Sequence, residues 1–169
     1  TRDYLGFDEN EEHNLEKKEI PEFKIEEITL NKKLIIDSIA LYNTISTNYG
    51  AKNLDITRLA QDQLDLTLRE TELLLLNGKR ISHLADLDIF ENLKELYLNQ
   101  NYISEIKNLE KLNNLEVLNL RNNNITKIEN INHLKNLEII DISNNLISEF
   151  VINEIQKENL ICISFYYNT

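Results

Sequence analysis

The chain is poor in several residues. In 169 positions it has no methionine, no tryptophan, one cysteine, one proline and three glycines. A single cysteine, Cys162, cannot close an internal disulfide, so a disulfide-stapled secreted scaffold is excluded and a reducing compartment is expected. So few glycines and prolines argue for short, regular connections. The absence of methionine, even at the first position, is read as the mark of a fragment of a longer protein. No apolar run approaches the ~20 residues of a membrane-spanning helix, and no signal peptide is evident. Positive charge is also scarce: 18 Lys and Arg stand against 29 Asp and Glu, a net charge of −11. That balance disfavours direct contact with nucleic acid, whose phosphates require clustered cations, and with anionic lipid. It suits a protein partner with a basic surface. At 41% hydrophobic and 28% charged residues the composition is globular.

What the chain has in abundance is repetition. "ENLKELYLNQNYISEI" (91–106) returns as "NNLEVLNLRNNNITKI" (113–128) and "KNLEIIDISNNLISEF" (135–150). The columns Leu93/Leu115/Leu137, Leu96/Leu118/Ile140, Leu98/Leu120/Ile142, Asn101/Asn123/Asn145, Ile103/Ile125/Ile147 and Ile106/Ile128/Phe150 each recur at a spacing of 22. Linking columns Leu87/Leu109/Ile131 and Phe90/Leu112/Leu134 keep the same phase. An earlier copy holds Leu74, Leu76, Ile81 and Leu84, with Thr71 for the first leucine and Lys79 for the asparagine. The alternation inside L-x-x-L-x-L is that of a strand with one buried face. The asparagine can both donate and accept, so it can satisfy backbone groups left unpaired where the chain turns away. No single copy can bury its apolar face alone, whereas stacked copies can. Lys79 requires the first turn to be satisfied in another way.

These columns resemble the leucine-rich repeat. Specifically, they resemble the short 22-residue subtype found in a phosphatase regulator, a spliceosomal snRNP protein and several axonemal proteins. The resemblance is strong over 71–150. It implies an α/β solenoid, a short leucine-rich repeat array with a parallel concave sheet. Helices capping the N-terminal end are read from the residues, as follows. Residues 1–27, acidic with Tyr4, Phe7 and Phe23, are expected to be a flexible arm. Residues 28–68 are expected to be a helical cap: a stripe of Leu34, Ile35, Ile39, Leu41, Tyr42 and Ile45 stopped by Gly50, then a helix over 56–64 capped by Asp55. Residues 69–150 would carry about four repeats, and 151–169 a cap helix bearing Phe150, Ile152 and Ile155 followed by a closing strand over 160–165.

On such a sheet the outward lanes would be Leu73, Glu95, Val117 and Ile139; Leu75, Tyr97, Asn119 and Asp141; and Asn77, Asn99, Arg121 and Ser143. This surface is the expected partner-binding site, most apolar around Leu73, Leu75 and Tyr97. Nothing points to catalysis: His13, His83 and His133 have no metal-ligand spacing and are expected in solvent, and Cys162 reads as an apolar filler. No cofactor, metal, membrane or small-molecule substrate is expected. Surface asparagines receive little weight, since abundant Asn, Ile and Lys fit a genome biased in base composition. The resemblance implies a non-catalytic scaffold in a large complex, favouring a structural or adaptor subunit of an axonemal (dynein or doublet-microtubule) assembly in a cilium or flagellum. The alternative is a regulatory module of a phosphatase or snRNP-type complex in nucleus or cytoplasm.

Overall fold

Each repeat places a three-residue strand where the alternating leucines fall, and the strands stack in register. The computed structural model describes residues 26–47, 55–148 and 160–168. Its elements are strand β1 (Ile28–Thr29), helix α1 (Lys32–Thr47), a 3₁₀ turn (Ile56–Arg58), helix α2 (Gln61–Arg69) and strands β2 (Leu73–Leu75), β3 (Ile81–His83), β4 (Glu95–Tyr97), β5 (Val117–Asn119), β6 (Ile139–Asp141) and β7 (Cys162–Ser164). Strands β2, β4, β5, β6 and β7 form one parallel sheet in that order, and β1 pairs in parallel with β3 on a separate two-stranded sheet. The architecture is the solenoid expected: stacked coils with the parallel sheet on one side and helices at the N-terminal end.

The core is the set of repeating columns. Leu74, Leu96, Leu118 and Ile140 lie opposite one another in the sheet, and all are buried, as are Leu93, Leu115 and Leu137 behind them. The linking positions Leu87, Leu109, Ile131, Phe90, Leu112 and Leu134 are buried too. Leu118 has no exposed surface and sits between Leu96 and Ile140.

The asparagine column forms a ladder that reaches backward. Asn123 Oδ1 accepts from the amide of Ile103 (3.0 Å), and its Nδ2 donates to the carbonyls of Leu98 and Leu120 (3.0 and 2.9 Å). Asn101 and Asn145 repeat the pattern one coil on either side. These groups are buried, so leaving them unpaired would cost about 1–3 kcal/mol each. The ladder's direction explains Lys79. The turn of the first repeat is closed by the next coil's asparagine, whose Oδ1 accepts from both Lys79 N and Ile81 N. An asparagine at position 79 would have no preceding coil in this stack to serve. The residue before each ladder asparagine has positive φ at Gln100, Asn122 and Asn144 (55–60°), and Gly78 fills that place in the first repeat at 64°.

Four features differ from the sequence reading. The 56–64 helix is two elements, because Asp55 caps only a 3₁₀ turn by accepting from Thr57 N, and α2 begins separately at Gln61. In α1, Asn31 supplies the side-chain cap to Leu34 N, but Leu41 points outward and is 53% exposed. Residues 28–30 are extended rather than helical and bond to Arg80 and His83 of the first coil. Finally, β7 is the closing strand expected over 160–165, but it also continues the asparagine ladder, which was not expected: Asn168 donates to the carbonyls of Ile142 and Phe165 and accepts from Ile147 N. The arm with Tyr4, Phe7 and Phe23, the Gly50 stop, and the helix assigned to Phe150, Ile152 and Ile155 lie outside the described residues, as do the side chains of Tyr42 and Ile45.

Candidate functional site: the outward face of the parallel sheet

Sheet register sets three lanes of side chains. The first is Leu73, Glu95, Val117 and Ile139, continued by Cys162; the second is Leu75, Tyr97, Asn119 and Asp141, continued by Ser164. Cys162 is exposed in this lane, so it is not the apolar filler expected from sequence. The third lane, one step beyond the strands, holds Asn77, Asn99, Arg121, Ser143 and Tyr166. Ser143 departs from expectation: it is fully buried. The Arg121 guanidinium lies 5.6 Å from the centre of the Tyr166 ring, two coils away, and so bridges over the small Ser143 between them. A cation over an aromatic face contributes roughly 0.5–1 kcal/mol at a partly exposed site.

Local bonds hold several of these groups. The Tyr97 hydroxyl donates to Glu95 Oε2 at 2.9 Å, and that carboxylate, with partial burial, raises the phenol above its ordinary pKa. Asn119 and Asp141 turn toward their own backbone and accept from the amides of Arg121 (3.1 Å) and Ser143 (3.0 Å). Beside the first lane, Lys94 bonds Glu72, which raises the lysine's pKa. Leu73 and Leu75 are half-buried, at the edge where α1 packs against β2. At the other end of the sheet Ile139 (41%), Ile161 (77%), Tyr166 (49%) and Tyr167 (80%) are exposed. The sheet therefore offers apolar groups at both ends, with Glu95, Asp141 and the clamped Arg121 between. Such a mixture suits protein recognition.

Elsewhere, His83 is exposed, with Nδ1 2.8 Å from Ser82 Oγ. His133 is half-buried rather than in solvent. Its Nε2 lies 3.0 Å from the Leu109 carbonyl, which can only accept, so Nε2 carries the proton. Asparagines that composition made look incidental are also tied back. Asn92, Asn114 and Asn136 donate to Arg69, Glu91 and Asn113, and Asn108 and Asn130 donate to Leu84 and Ile106. Their signal was in the sequence, as a 22-residue recurrence in the linkers. Among the described residues no group of three or more His, Cys, Asp or Glu is placed to hold a metal. Among them, too, no helix is long and apolar enough to cross a membrane.

A stack of coils with one outward parallel sheet defines a repeat solenoid, and the comparisons name the repeat. The family described as Leucine Rich repeats (2 copies) matches residues 91–125 and 113–156. Residues 91–156 thus match leucine-rich repeats, a class that generally mediates protein–protein interaction. Among solved structures, an internalin (inlF) from Listeria monocytogenes is similar in fold. The TM-score is 0.53 at 23% identity, over 69% of this chain and 31% of that one. The match therefore spans under a third of the internalin's length. No curated protein matches.

Proposed function

We propose that the protein is a non-catalytic scaffold that holds a partner protein with a basic surface against the lanes of its parallel sheet. The observation that carries this is the register that sets Leu73, Glu95, Tyr97, Val117, Ile139 and Asp141 side by side on one outward face. Apolar groups at the two ends supply area, and Glu95 and Asp141 supply complementarity to cations. The −11 charge of the whole chain favours encounter with a basic partner. Asn99, Asn119 and Arg121 complete the contact surface and set its polarity.

Within that role, the 22-residue repeat beside helical and charged flanks favours a structural or adaptor subunit of an axonemal assembly. The test is to image the tagged full-length protein in its own cell and extract with detergent and salt. Salt-resistant signal along the cilium is the expected result, with crosslinks to neighbours lost in a Tyr97→Ala, Arg121→Glu double variant. A nuclear or diffuse, easily extracted signal overturns the axonemal assignment and leaves a regulatory module. Crosslinks unchanged in the double variant overturn the choice of face.

A further inference from the structure

A cavity of about 300 Å³ lies where α1, α2 and the return segment of the first coil meet. Its lining is divided by chemistry. Ile35, Leu68 and Phe90 are buried and Ile89 is half-buried, and these make an apolar interior. The polar lining residues are Lys32, which is half-buried, and Asp86 and Asp88, which are exposed. The cavity's own cation is already committed: Lys32 Nζ is 2.9 Å from Asp65, which lies outside the lining. Asp86 accepts the backbone amide of Lys32 through Oδ2 at 3.0 Å, while Asp88 makes no ion pair among the described residues. The mouth thus carries two carboxylates, and the one basic residue of the lining is paired with a third.

We propose that this cavity receives the side chain of a lysine or arginine from a partner protein, independently of the sheet's outward face. Such a side chain has an aliphatic stem and a cationic tip. The stem matches Ile35, Leu68, Ile89 and Phe90, and the tip meets Asp86 and Asp88. An anion would face two carboxylates. A purely apolar group would strip water from those carboxylates without replacing it. A bare metal ion would find too few ligands, because beyond the two carboxylates the wall offers only hydrocarbon and the Lys32 ammonium. The occupant that satisfies both halves is a basic side chain, and the net charge of −11 favours its approach.

The test uses the full chain with labelled methyl groups and two small probes, n-butylguanidinium and its neutral isostere n-butylurea, followed by NMR titration. The expected result is a saturable shift of the Ile35, Leu68 and Ile89 methyl signals with butylguanidinium. The apparent affinity should be about tenfold weaker for butylurea and about tenfold weaker in Asp88→Asn, the worth of one charge-assisted contact. Equal responses to the two probes, no saturable shift at these methyls, or an Asp88→Asn titration identical to wild type would each overturn the proposal. Shifts confined to Val117 and Ile139 would also overturn it, by moving the cation preference to the sheet. The two-probe comparison on the wild-type chain stands even if the variant folds poorly, and an unmoved Leu118 signal reports on folding.

Discussion

The two ends of the solenoid are finished differently. At the N-terminal end the first coil is joined to β1 on one sheet, packed by α1 beside β2, and fastened through Asp86. At the other end β7 repeats the ladder chemistry, but Ile161, Tyr166 and Tyr167 remain exposed around it. The contrast shows how one repeat position is retuned at an end. Asn108 and Asn130 donate their side-chain amide to the carbonyl of the coil before them. The first coil has the helical cap there, not a repeat, and presents an N–H rather than a carbonyl. Position 86 is accordingly aspartate, which only accepts, and it takes the amide of Lys32 at the start of α1.

The largest test of the contrast sets Leu118→Ala in the middle of the stack against Ile163→Ala, in the next-but-one strand of the same column at the end. Leu118 is covered on both sides, so its truncation should cost ~2–5 kcal/mol in chemical denaturation, while Asn119→Ala, on the outward face, should cost far less. Ile163 is only half-buried and should cost roughly 1–2 kcal/mol, because less area returns to water. Equal losses for Leu118 and Ile163 would mean that β7 is covered as fully as β5. A smaller effect is expected for Asp86→Asn, about 1 kcal/mol for one exposed hydrogen bond. Amide exchange in the first turn of α1 should quicken while the β4 and β5 amides stay slow. Uniform acceleration would show that α1 and the coils open as one unit.

The smallest effect is electrostatic. Asp65 is half-exposed and is held below its usual value of 3.8, chiefly by the hydrogen bond from Lys32. A carboxylate whose folded pKa is lowered stabilises the fold above its unfolded pKa and loses that contribution as pH falls through the folded value. Thermal melts of wild type and Asp65→Asn should differ near neutrality and converge as pH drops below 3.8. A gap that persists in acid would assign the difference to something other than the Lys32 contact.

The repeat and its buried columns were legible because one residue type recurs at one spacing for one reason, burial between coils. The features that stayed hidden share a different origin. The reading "LICISFYYN" (160–168) fits L-x-x-I-x-F-x-x-N, yet it stands 23 residues from its predecessor instead of 22, so a fixed period passes over Asn168. Strand β1 is two residues long and has no periodicity to detect. On the outward face, alternation correctly places the two strand lanes, since side-chain direction follows the pleat. It cannot show that Arg121 closes over Ser143, because that depends on where a long side chain finds the Tyr166 ring.

The extra residue before β7 has a consequence for how such a chain can change over generations. Up to Ile147 the columns keep their spacing of 22, and from Leu160 they keep it plus one, so the surplus falls between these two residues. Strand β7 nevertheless pairs with β6 in register, Ile140 opposite Ile163. A codon gained in that interval leaves every lane intact, whereas a codon gained between Leu137 and Asn145 would turn apolar faces outward and separate the ladder from its carbonyls. Length is thus free to drift in that interval and is held fixed along the strand and its asparagine.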